Sequence, residues 1–460
     1  MGNKKNAWLK FDNTKKEEIF SFCEGYKKYI SDCKTERESI KEAIYLAESK
    51  GYRDLKNVIS AGKSLKAGDK VYYNNMDKSL ALFLIGSESI ESGMRIIGSH
   101  VDSPRLDLKP NPLYEDSELS LMETHYYGGV KKYQWVTIPL ALHGVVVKKD
   151  GTKIDVVVGE EETDPVVMVS DLLIHLAAEQ QQKKAAEVIA GEDLNILVGS
   201  MPLEGEEKEA VKANILKLLK EKYDFEEEDF MSAEIEIVPA GKARDLGLDR
   251  SMVAGYGHDD RICAYTSLLA LLETESSKKT SVVLLVDKEE VGSIGATGMQ
   301  SRFFENAVAE LMDRVGEYSE LKLRRALANS KMLSSDVTAA FDPNYAGAYE
   351  KKNSAFFGKG LAFAKYTGAR GKSGCNDANA EFVAWLRNVM DESDVSYQMA
   401  ELGKVDQGGG GTIAYILAEY GMEVIDCGVA LQNMHAPWEV ASKVDIYETM
   451  RGYKAFLIAE

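Results

Sequence analysis

The sequence predicts an α/β fold: a mixed central sheet flanked by helices, with an inserted β-rich α+β domain. Three observations support this fold class. Strand-like apolar runs alternate with helix-periodic segments after residue 251. At 460 residues, the chain exceeds the size of one ordinary hydrophobic core. Near residues 108–250 the pattern changes to closely spaced strand-like runs.

The first part of the chain combines helices with short strands. Residues 14–50 are charged and carry apolar residues at helical spacing. Residues 70–73 and 80–85 are apolar runs typical of strands, and a third run, 94–97, leads to His100. We expect residues 1–107 to form one domain with residues 251–460.

The middle block, residues 108–250, is expected to fold as a separate, inserted domain. The predicted strands are 136–142, 144–148, 154–158 and 233–238, and the predicted helices are 171–190 and 206–223. The block contains few side chains of the metal-binding type apart from His125, His143 and His175.

The last part of the chain alternates strands and helices, as in a sheet with helices packed on both faces. Asp259 and Asp260 open a helix that continues through residues 264–273. A second helix is predicted at 412–420, after the glycine run 408–411.

Composition argues against several classes of protein. The 56 basic and 74 acidic residues give a net charge of −18, which argues against nucleic acid or an anionic membrane as a partner. No apolar run approaches the ~20 residues that span a bilayer, and the N-terminus lacks a signal-peptide core. We therefore expect a cytoplasmic protein. The five cysteines lack CxxC spacing and indicate neither a disulfide framework nor a cysteine zinc site.

Metal-ligand side chains follow the predicted strands. Glu289 and Glu290 come just after the apolar run 281–286, where adjacent carboxylates need a compensating charge such as a metal ion. His100, Asp336 and His435 follow three other apolar runs. Taken singly, each residue has an ordinary structural explanation, such as a turn, a cap or a core histidine. Their joint occurrence at strand ends favours a metal-dependent hydrolase.

A two-metal hydrolytic site also needs a bridging carboxylate and a base for the attacking water. Asp259 is placed to bridge, and Asp102 can accept the second N–H of His100. Of the pair Glu289 and Glu290, one can bind metal while the other remains free as a general base.

These residues resemble the aspartyl aminopeptidase and vacuolar aminopeptidase I family of dinuclear zinc exopeptidases. The resemblance extends over nearly the whole chain. Its most specific part is the order His-x-Asp-Ser-Pro, Glu-Glu-Val-Gly-Ser and a late Met-His. The matching segments are residues 72–75, 98–106, 259–261, 287–293, 334–336, 374–379 and 434–439.

The resemblance implies two divalent metal ions per subunit, zinc first and cobalt or manganese as alternatives. One ion would be held by His100, Asp259 and Asp336. The other would be held by Asp259, Glu290 and His435. Asp260 stands where relatives often have Asn, so the choice of bridging carboxylate between it and Asp259 stays open. Val101 replaces a common Thr.

The resemblance also implies roles for residues around the metals. Glu289 would be the general base, and Asp102 would support His100. His143 would reach the active site of a neighbouring subunit, or be an ordinary core histidine. Lys365 would select acidic side chains, or be a surface lysine.

The implied activity is removal of single N-terminal residues, including Asp or Glu, from peptides with a free N-terminus. Residues 1–107 and 251–460 would be catalytic, and residues 108–250 would form dimers that build a tetrahedral homododecamer. Two alternatives remain: an N-acyl amino-acid deacylase with the same ligands, and a noncatalytic assembly or cargo-binding protein. The second would be expected to have lost Glu289 or a ligand, yet all are present.

Overall fold

A computed structural model describes residues 5–369 and 375–460, which divide into two compact units. The first unit comprises Met1–Asp102, Ala243–Met434 and Glu439–Glu460. The second comprises Ser103–Lys242 and His435–Trp438. The catalytic and dimerisation roles assigned to the two parts of the sequence stay predictions. Gly374, the first residue of the matching segment 374–379, lies outside the described residues.

The helices are α1 (Asn13–Asp32), α2 (Glu36–Ser49), α3 (Leu55–Ser60), α4 (Ala210–Tyr223), α5 (His258–Leu272), α6 (Phe303–Arg314), α7 (Glu320–Ala328), α8 (Ala380–Glu392), α9 (Ala414–Ala418) and α10 (Lys443–Ile458). Local sequence explains where some of them begin. At α2, the Thr35 hydroxyl accepts a hydrogen bond from the Glu38 amide, and the Glu38 carboxylate accepts one from the Thr35 amide. This reciprocal cap satisfies amides that have no partner inside the helix. No helix in the described ranges is both long and apolar enough to span a bilayer.

The strands are β1 (Arg53–Asp54), β2 (Lys70–Asn75), β3 (Ser79–Leu84), β4 (Met94–His100), β5 (Arg105–Asp116), β6 (Leu119–Tyr127), β7 (Leu140–Val147), β8 (Lys153–Val158), β9 (Met168–Val169), β10 (Ile196–Gly199), β11 (Ala233–Pro239), β12 (Arg244–Leu246), β13 (Met252–Gly255), β14 (Thr280–Val286), β15 (Lys331–Ser335), β16 (Thr338–Ala339), β17 (Leu361–Ala364), β18 (Tyr397–Met399), β19 (Glu423–Gly428), β20 (Ala430–Gln432) and β21 (Glu439–Ser442).

The first unit is organised around a mixed sheet with the order β1-β2-β3-β14-β4-β15-β19-β17-β18 among the described residues. Strands β14, β4, β15 and β19 are mutually parallel, so their carboxyl ends lie at one edge of the sheet. A second sheet of the same unit has the order β12-β13-β21-β20-β16. The mixed sheet with helices on its faces confirms the predicted α/β fold class.

Helices cover both faces of the main sheet. Ile97 and Leu285 face one side, where they belong to the same core as residues of α5 and α10. Ile96 and Leu284 face the other side, where the core includes residues of α6, α7 and α9. Strands buried on both faces read as continuous apolar runs, which explains why β4 and β14 are recognisable in the sequence.

One glycine allows two strands to approach closely beside the sheet edge. A Cβ atom on Gly428, the last residue of β19, would lie 2.0 Å from the Asp336 carbonyl oxygen. The Asp336 amide donates to the Cys427 carbonyl over 2.9 Å. Any larger residue at 428 would therefore displace the backbone that carries Asp336.

The second unit contains an antiparallel sheet with the order β8-β7-β11-β5-β6-β10-β9 in the part of the chain described. Helix α4 agrees with the later part of the predicted helix 206–223. The helix predicted at 171–190 is wrong: this segment has only short 3-10 turns at Ile174–Leu176 and Gln180–Gln182. Leu172, Leu173, Ile174 and Leu176 are exposed, and in proteins most of the stability of a helix comes from packing of its apolar face. The end of the predicted strand 136–142 and most of the predicted strand 144–148 form the single strand β7, whereas residues 136–139 precede it and are not a strand.

Candidate metal centre

His100 ends β4 with its ring orientation fixed by Asp102. The His100 Nδ1 atom lies 3.0 Å from the Asp102 carbonyl oxygen and 3.3 Å from its Oδ1. Both side chains are fully buried. An Nδ1–H that donates to these oxygens leaves the Nε2 lone pair free, which is the tautomer that a metal-binding histidine needs.

Three carboxylates surround the Nε2 atom of His100. The nearest oxygens belong to Asp259 at 3.1 Å, Asp336 at 3.6 Å and Glu289 at 3.9 Å. Burial lowers the pKa of His100, but the neighbouring Asp102, Asp259 and Asp336 raise it well above its ordinary value. This site therefore strongly favours a positive charge.

The carboxyl groups respond to the same environment. Burial, together with the negative charges of Asp336, Asp102 and Asp259, raises the pKa of Glu289 to about 8, although His100 opposes the shift. Burial also raises the pKa of Asp336. These shifts mean that ionising all the carboxyl groups together is unfavourable unless a cation is present.

The donor set fits a divalent metal. Ligand atoms of His100, Asp260 and Asp336 lie within 4.8 Å of one another, as do those of His100, Glu289 and Glu290. Imidazole nitrogen and carboxylate oxygen are the donors that zinc takes at catalytic sites, and they also suit cobalt and manganese.

Asp259 and Asp260 take different positions. The Asp259 carboxylate faces Nε2 of His100, and the Asp259 amide donates to Glu439 Oε2 over 3.0 Å. The Asp260 Oδ2 atom lies 3.4 Å from the backbone amide of His100, and burial raises the Asp260 pKa well above its ordinary value. This arrangement favours Asp259 as a metal ligand and Asp260 as a buried support.

The turn that carries Glu289 and Glu290 is held by Asp102. The Asp102 Oδ1 atom accepts from the Glu289 amide and its Oδ2 from the Glu290 amide, each over 3.2 Å. Lys288 has a φ of 69°, a left-handed conformation that is uncommon for a residue with a side chain. Asp102 therefore supports both His100 and the acidic pair Glu289 and Glu290.

Asp287 stabilises the start of the same turn. Its carboxylate accepts from the Thr297 hydroxyl over 2.6 Å and from the Lys288 amide over 2.8 Å. Burial raises the pKa of Asp287 to about 6, with the negative charges of Glu36 and Asp102 adding to the effect.

The structure thus brings six of the predicted site residues together in the first unit: His100, Asp102, Asp259, Glu289, Glu290 and Asp336. Lys365 is also in this unit, directly after β17, with its Nζ 5.1 Å from the centre of the Tyr366 ring. Its contact with substrate stays a prediction.

The other two predicted site residues belong to the second unit. His435 has its Nδ1 atom 2.8 Å from the carbonyl oxygen of Gly129. His143 is buried in β7, with Nε2 2.9 Å from Glu160 Oε1. Metal binding by His435 and substrate binding by His143 stay predictions.

The sequence patterns gave no indication that Glu439, Asp287 and Asp426 are buried carboxylates that accept hydrogen bonds from other segments. Glu439 lies in the matching segment 434–439, so its position was a signal that could have been used. Asp287 and Asp426 each lie within or beside an apolar strand and are buried, and a charged residue in such a place usually has a specific partner.

Comparison with known proteins identifies a consistent set of similar chains. Residues 29–457 match the family model of aminopeptidase I zinc metalloproteases (M18). A probable M18 family aminopeptidase 1 from Clostridium acetobutylicum is 66% identical over 454 residues, covering 98% of each chain.

Solved structures agree with the sequence matches. The crystal structure of an M18 aminopeptidase from Thermotoga maritima superposes with a TM-score of 0.95 at 45% identity and covers 99% of each chain. The mApe1 dodecamer from S. cerevisiae has the same fold, with a TM-score of 0.77 at 20% identity over 95% of this chain and 96% of its own.

The geometry around Asp102 leads to a prediction about metal affinity. In Asp102→Asn, an amide NH₂ replaces one oxygen, so the Glu289 or Glu290 amide loses its acceptor. We expect zinc affinity to fall about 10- to 100-fold. Competition with a chromogenic chelator would measure this. Asp249→Asn is the control, because Asp249 is exposed and accepts hydrogen bonds only within its own turn at Ser251. Equal zinc affinity in the two variants would contradict a supporting role for Asp102.

Proposed function

The chain belongs to the aminopeptidase I zinc metalloprotease (M18) family, and from this premise we propose a two-metal mechanism with Glu289 as the general base. Membership makes the protein a metallo-aminopeptidase, which confirms the family predicted from the motifs. The observation that carries the mechanistic proposal is the convergence of three carboxylates on the Nε2 atom of His100.

Two ligand sets are proposed. His100, Asp259 and Asp336 would hold one divalent ion. Asp259, Glu290 and His435 would hold the second. When bound, such ions polarise a carbonyl and make a water molecule more acidic. The proximity of Asp259 Oδ1 to the free Nε2 of His100 supports Asp259 rather than Asp260 as the shared ligand.

Glu289 would move the protons of the reaction. Its carboxylate lies beside the ligand cluster without being assigned to either set, and a nearby positive charge would lower its raised pKa. As a base it would take a proton from the attacking water, and as an acid it would return a proton to the leaving amine. The hydrogen bonds that the Glu289 and Glu290 amides donate to Asp102 would hold Glu289 in place for both steps.

Replacing the base tests this role. Glu289→Gln keeps the shape of the side chain but cannot accept a proton, so we expect zinc content to remain and turnover to fall at least 100-fold. Metal analysis and initial rates would measure the two quantities. Glu273→Gln, at an exposed glutamate paired with Lys454, is the control. Wild-type turnover in Glu289→Gln would remove Glu289 from the mechanism.

The preference for the N-terminal residue is proposed to be acidic, with Lys365 as its determinant. An ammonium group in the substrate site would attract Asp or Glu side chains. We expect chelated protein to regain cleavage of free aminoacyl substrates when zinc, cobalt or manganese is returned. The panel would contain Asp, Glu, Leu, Lys and an N-acetylated control.

In this panel, Lys365→Ala should lower kcat/KM for the Asp and Glu substrates about tenfold and leave kcat/KM for the Leu substrate unchanged. Lys352→Ala, at an exposed lysine, is the control and should leave kcat/KM unchanged for all three substrates. Equal losses on Asp and Leu would refute selection by Lys365. Cleavage of the acetyl group would indicate the deacylase, and no cleavage with metal bound would indicate the noncatalytic protein.

Assembly into a homo-oligomer is proposed from an exposed apolar surface on the second unit. Leu172, Leu173, Ile174 and Leu176 are between 45% and 66% exposed and lie within five residues of one another. Contiguous exposed apolar groups commonly mark a protein interface. We propose that a second copy of the chain covers them. By analogy with the mApe1 dodecamer, the dimers would then build a tetrahedral dodecamer.

Sedimentation velocity would test the interface. The double substitution Leu173→Asp and Ile174→Asp places charges where burial is expected, so the assembly should dissociate into smaller species. Leu321→Asp, at an exposed leucine of the first unit, should leave sedimentation unchanged. An unaltered large particle in the double variant would contradict the proposed interface, and a stable, active monomer would argue against an intersubunit role of His143.

A further inference from the structure

Asp426 is a buried carboxylate that the mechanism above does not use. It is 3% exposed and lies in the middle of β19, between the strand leading to Asp336 and the strand leading to Lys365. Its strand partners are Ser334 on β15 and Ala364 on β17. Placing a carboxylate there is unfavourable unless hydrogen bonds compensate for the lost water.

Three neutral donors from separate segments converge on this carboxylate. The hydroxyl of Thr412 donates to Oδ1, and the hydroxyl of Thr367 donates to Oδ2 over 3.1 Å. The side-chain amide of Asn376 lies 3.4 Å from Oδ2. Asp426 is therefore the common acceptor for two loops: the first comprises the described residues 365–369 and 375–379, and the second comprises residues 408–413.

The same donors also organise the backbone of their loops. The Thr367 hydroxyl accepts from the Asn376 amide, and the Thr412 hydroxyl accepts from the Ala414 amide at the start of α9, each over 3.2 Å. Rotation of either hydroxyl away from Asp426 would therefore disturb the backbone around it.

The two loops also meet directly through their backbones. The Gly368 amide donates to the Gly410 carbonyl over 3.0 Å. A Cβ atom on Gly409, whose φ is 103°, would lie 2.2 Å from the Gly368 carbonyl oxygen. This close approach and the positive φ require glycine at position 409.

Packing connects these loops to the metal ligands. A Cβ atom on Gly98, two residues before His100, would lie 3.1 Å from Cδ1 of Ile413. The residue after Thr412 therefore packs against the strand that positions His100. On the other side, Gly428 and Cys427 of β19 contact the backbone of Asp336.

We propose that Asp426 is a positioning residue for substrate binding, holding the two loops together as one wall of the site beside His100 and Asp336. The proposal rests on the aminopeptidase function argued above. A loop that is already held in its binding conformation loses little conformational freedom when substrate binds. Holding the two loops in place therefore increases the affinity for substrate. Loss of the hydrogen bonds to Asp426 should therefore raise KM, while the metals and Glu289 remain in place.

Steady-state kinetics of five variants would test this role, using whichever substrate of the panel the wild-type protein cleaves fastest. We expect Asp426→Asn, Thr367→Val and Thr412→Val to raise KM about tenfold, with kcat within about threefold and zinc content unchanged, because they remove interactions made equally before and during the reaction. Thr367→Ser and Thr412→Ser keep the hydroxyl and should restore KM towards the wild-type value.

Asp445→Asn is the matched control. Asp445 is equally buried, and its carboxylate accepts from the Gly358 and Gly360 amides over 2.7 and 2.6 Å. Its loss should lower thermal stability without changing KM. Unchanged KM in both Val variants would overturn the proposal, as would a fall in kcat accompanied by zinc loss, because Asp426 would then act through Asp336.

Hydrogen exchange provides a measurement that does not depend on turnover. In zinc-loaded protein, the Gly368 and Ala414 amides should exchange faster in Asp426→Asn than in wild type or Asp445→Asn. Equal exchange rates in Asp426→Asn and wild type would contradict the proposal that Asp426 holds the two loops together. If wild-type protein cleaved no substrate, the proposed function would fail and the positioning role with it. An active wild type with unaltered variants would overturn the positioning role alone.

Discussion

The structure depends on one electrostatic constraint, the packing of several carboxyl groups around a single buried imidazole nitrogen. Three carboxylate oxygens lie 3.1 to 3.9 Å from the Nε2 atom of His100. Such a group is stable only with compensating positive charge and with fixed hydrogen bonds behind each oxygen. The surrounding fold supplies those bonds: parallel strands bring the ligands to one edge, and buried acceptors such as Asp102 and Glu439 hold the backbone amides near them.

The ligand positions in the first unit could be predicted because their signals are local. Buried parallel strands produce unbroken apolar runs, and a polar residue that ends such a run must lie at the sheet edge. His100, Asp336 and the acidic pair at 289–290 were found in this way. The matching segment marks Glu439 in the sequence, but the partners of Glu439 and Asp426 could not be predicted. Asp259 and the two loops are distant in the chain and meet these carboxylates only through tertiary packing.

The second unit was less predictable for a related reason. The apolar spacing in residues 171–190 suits a helix, yet the segment forms only short turns with exposed leucines. Helical periodicity is informative when the apolar face packs against a core, and here Leu172, Leu173, Ile174 and Leu176 are exposed instead. Strand β7 shows the opposite error, since His143, which separated two predicted strands, lies inside a single strand.

Asp102 contacts both His100 and the turn at 289–290, and this restricts how the site can evolve. The Asp102 carboxylate contacts the His100 ring and also accepts hydrogen bonds from the amides of Glu289 and Glu290, so one side chain fixes the positions of all three residues. The effects of substitutions among these residues should be strongly non-additive. The first substitution already breaks hydrogen bonds of the shared network, so the second has fewer left to break. We therefore expect this group to change only as a set, and new substrate preferences to arise in the loops around it.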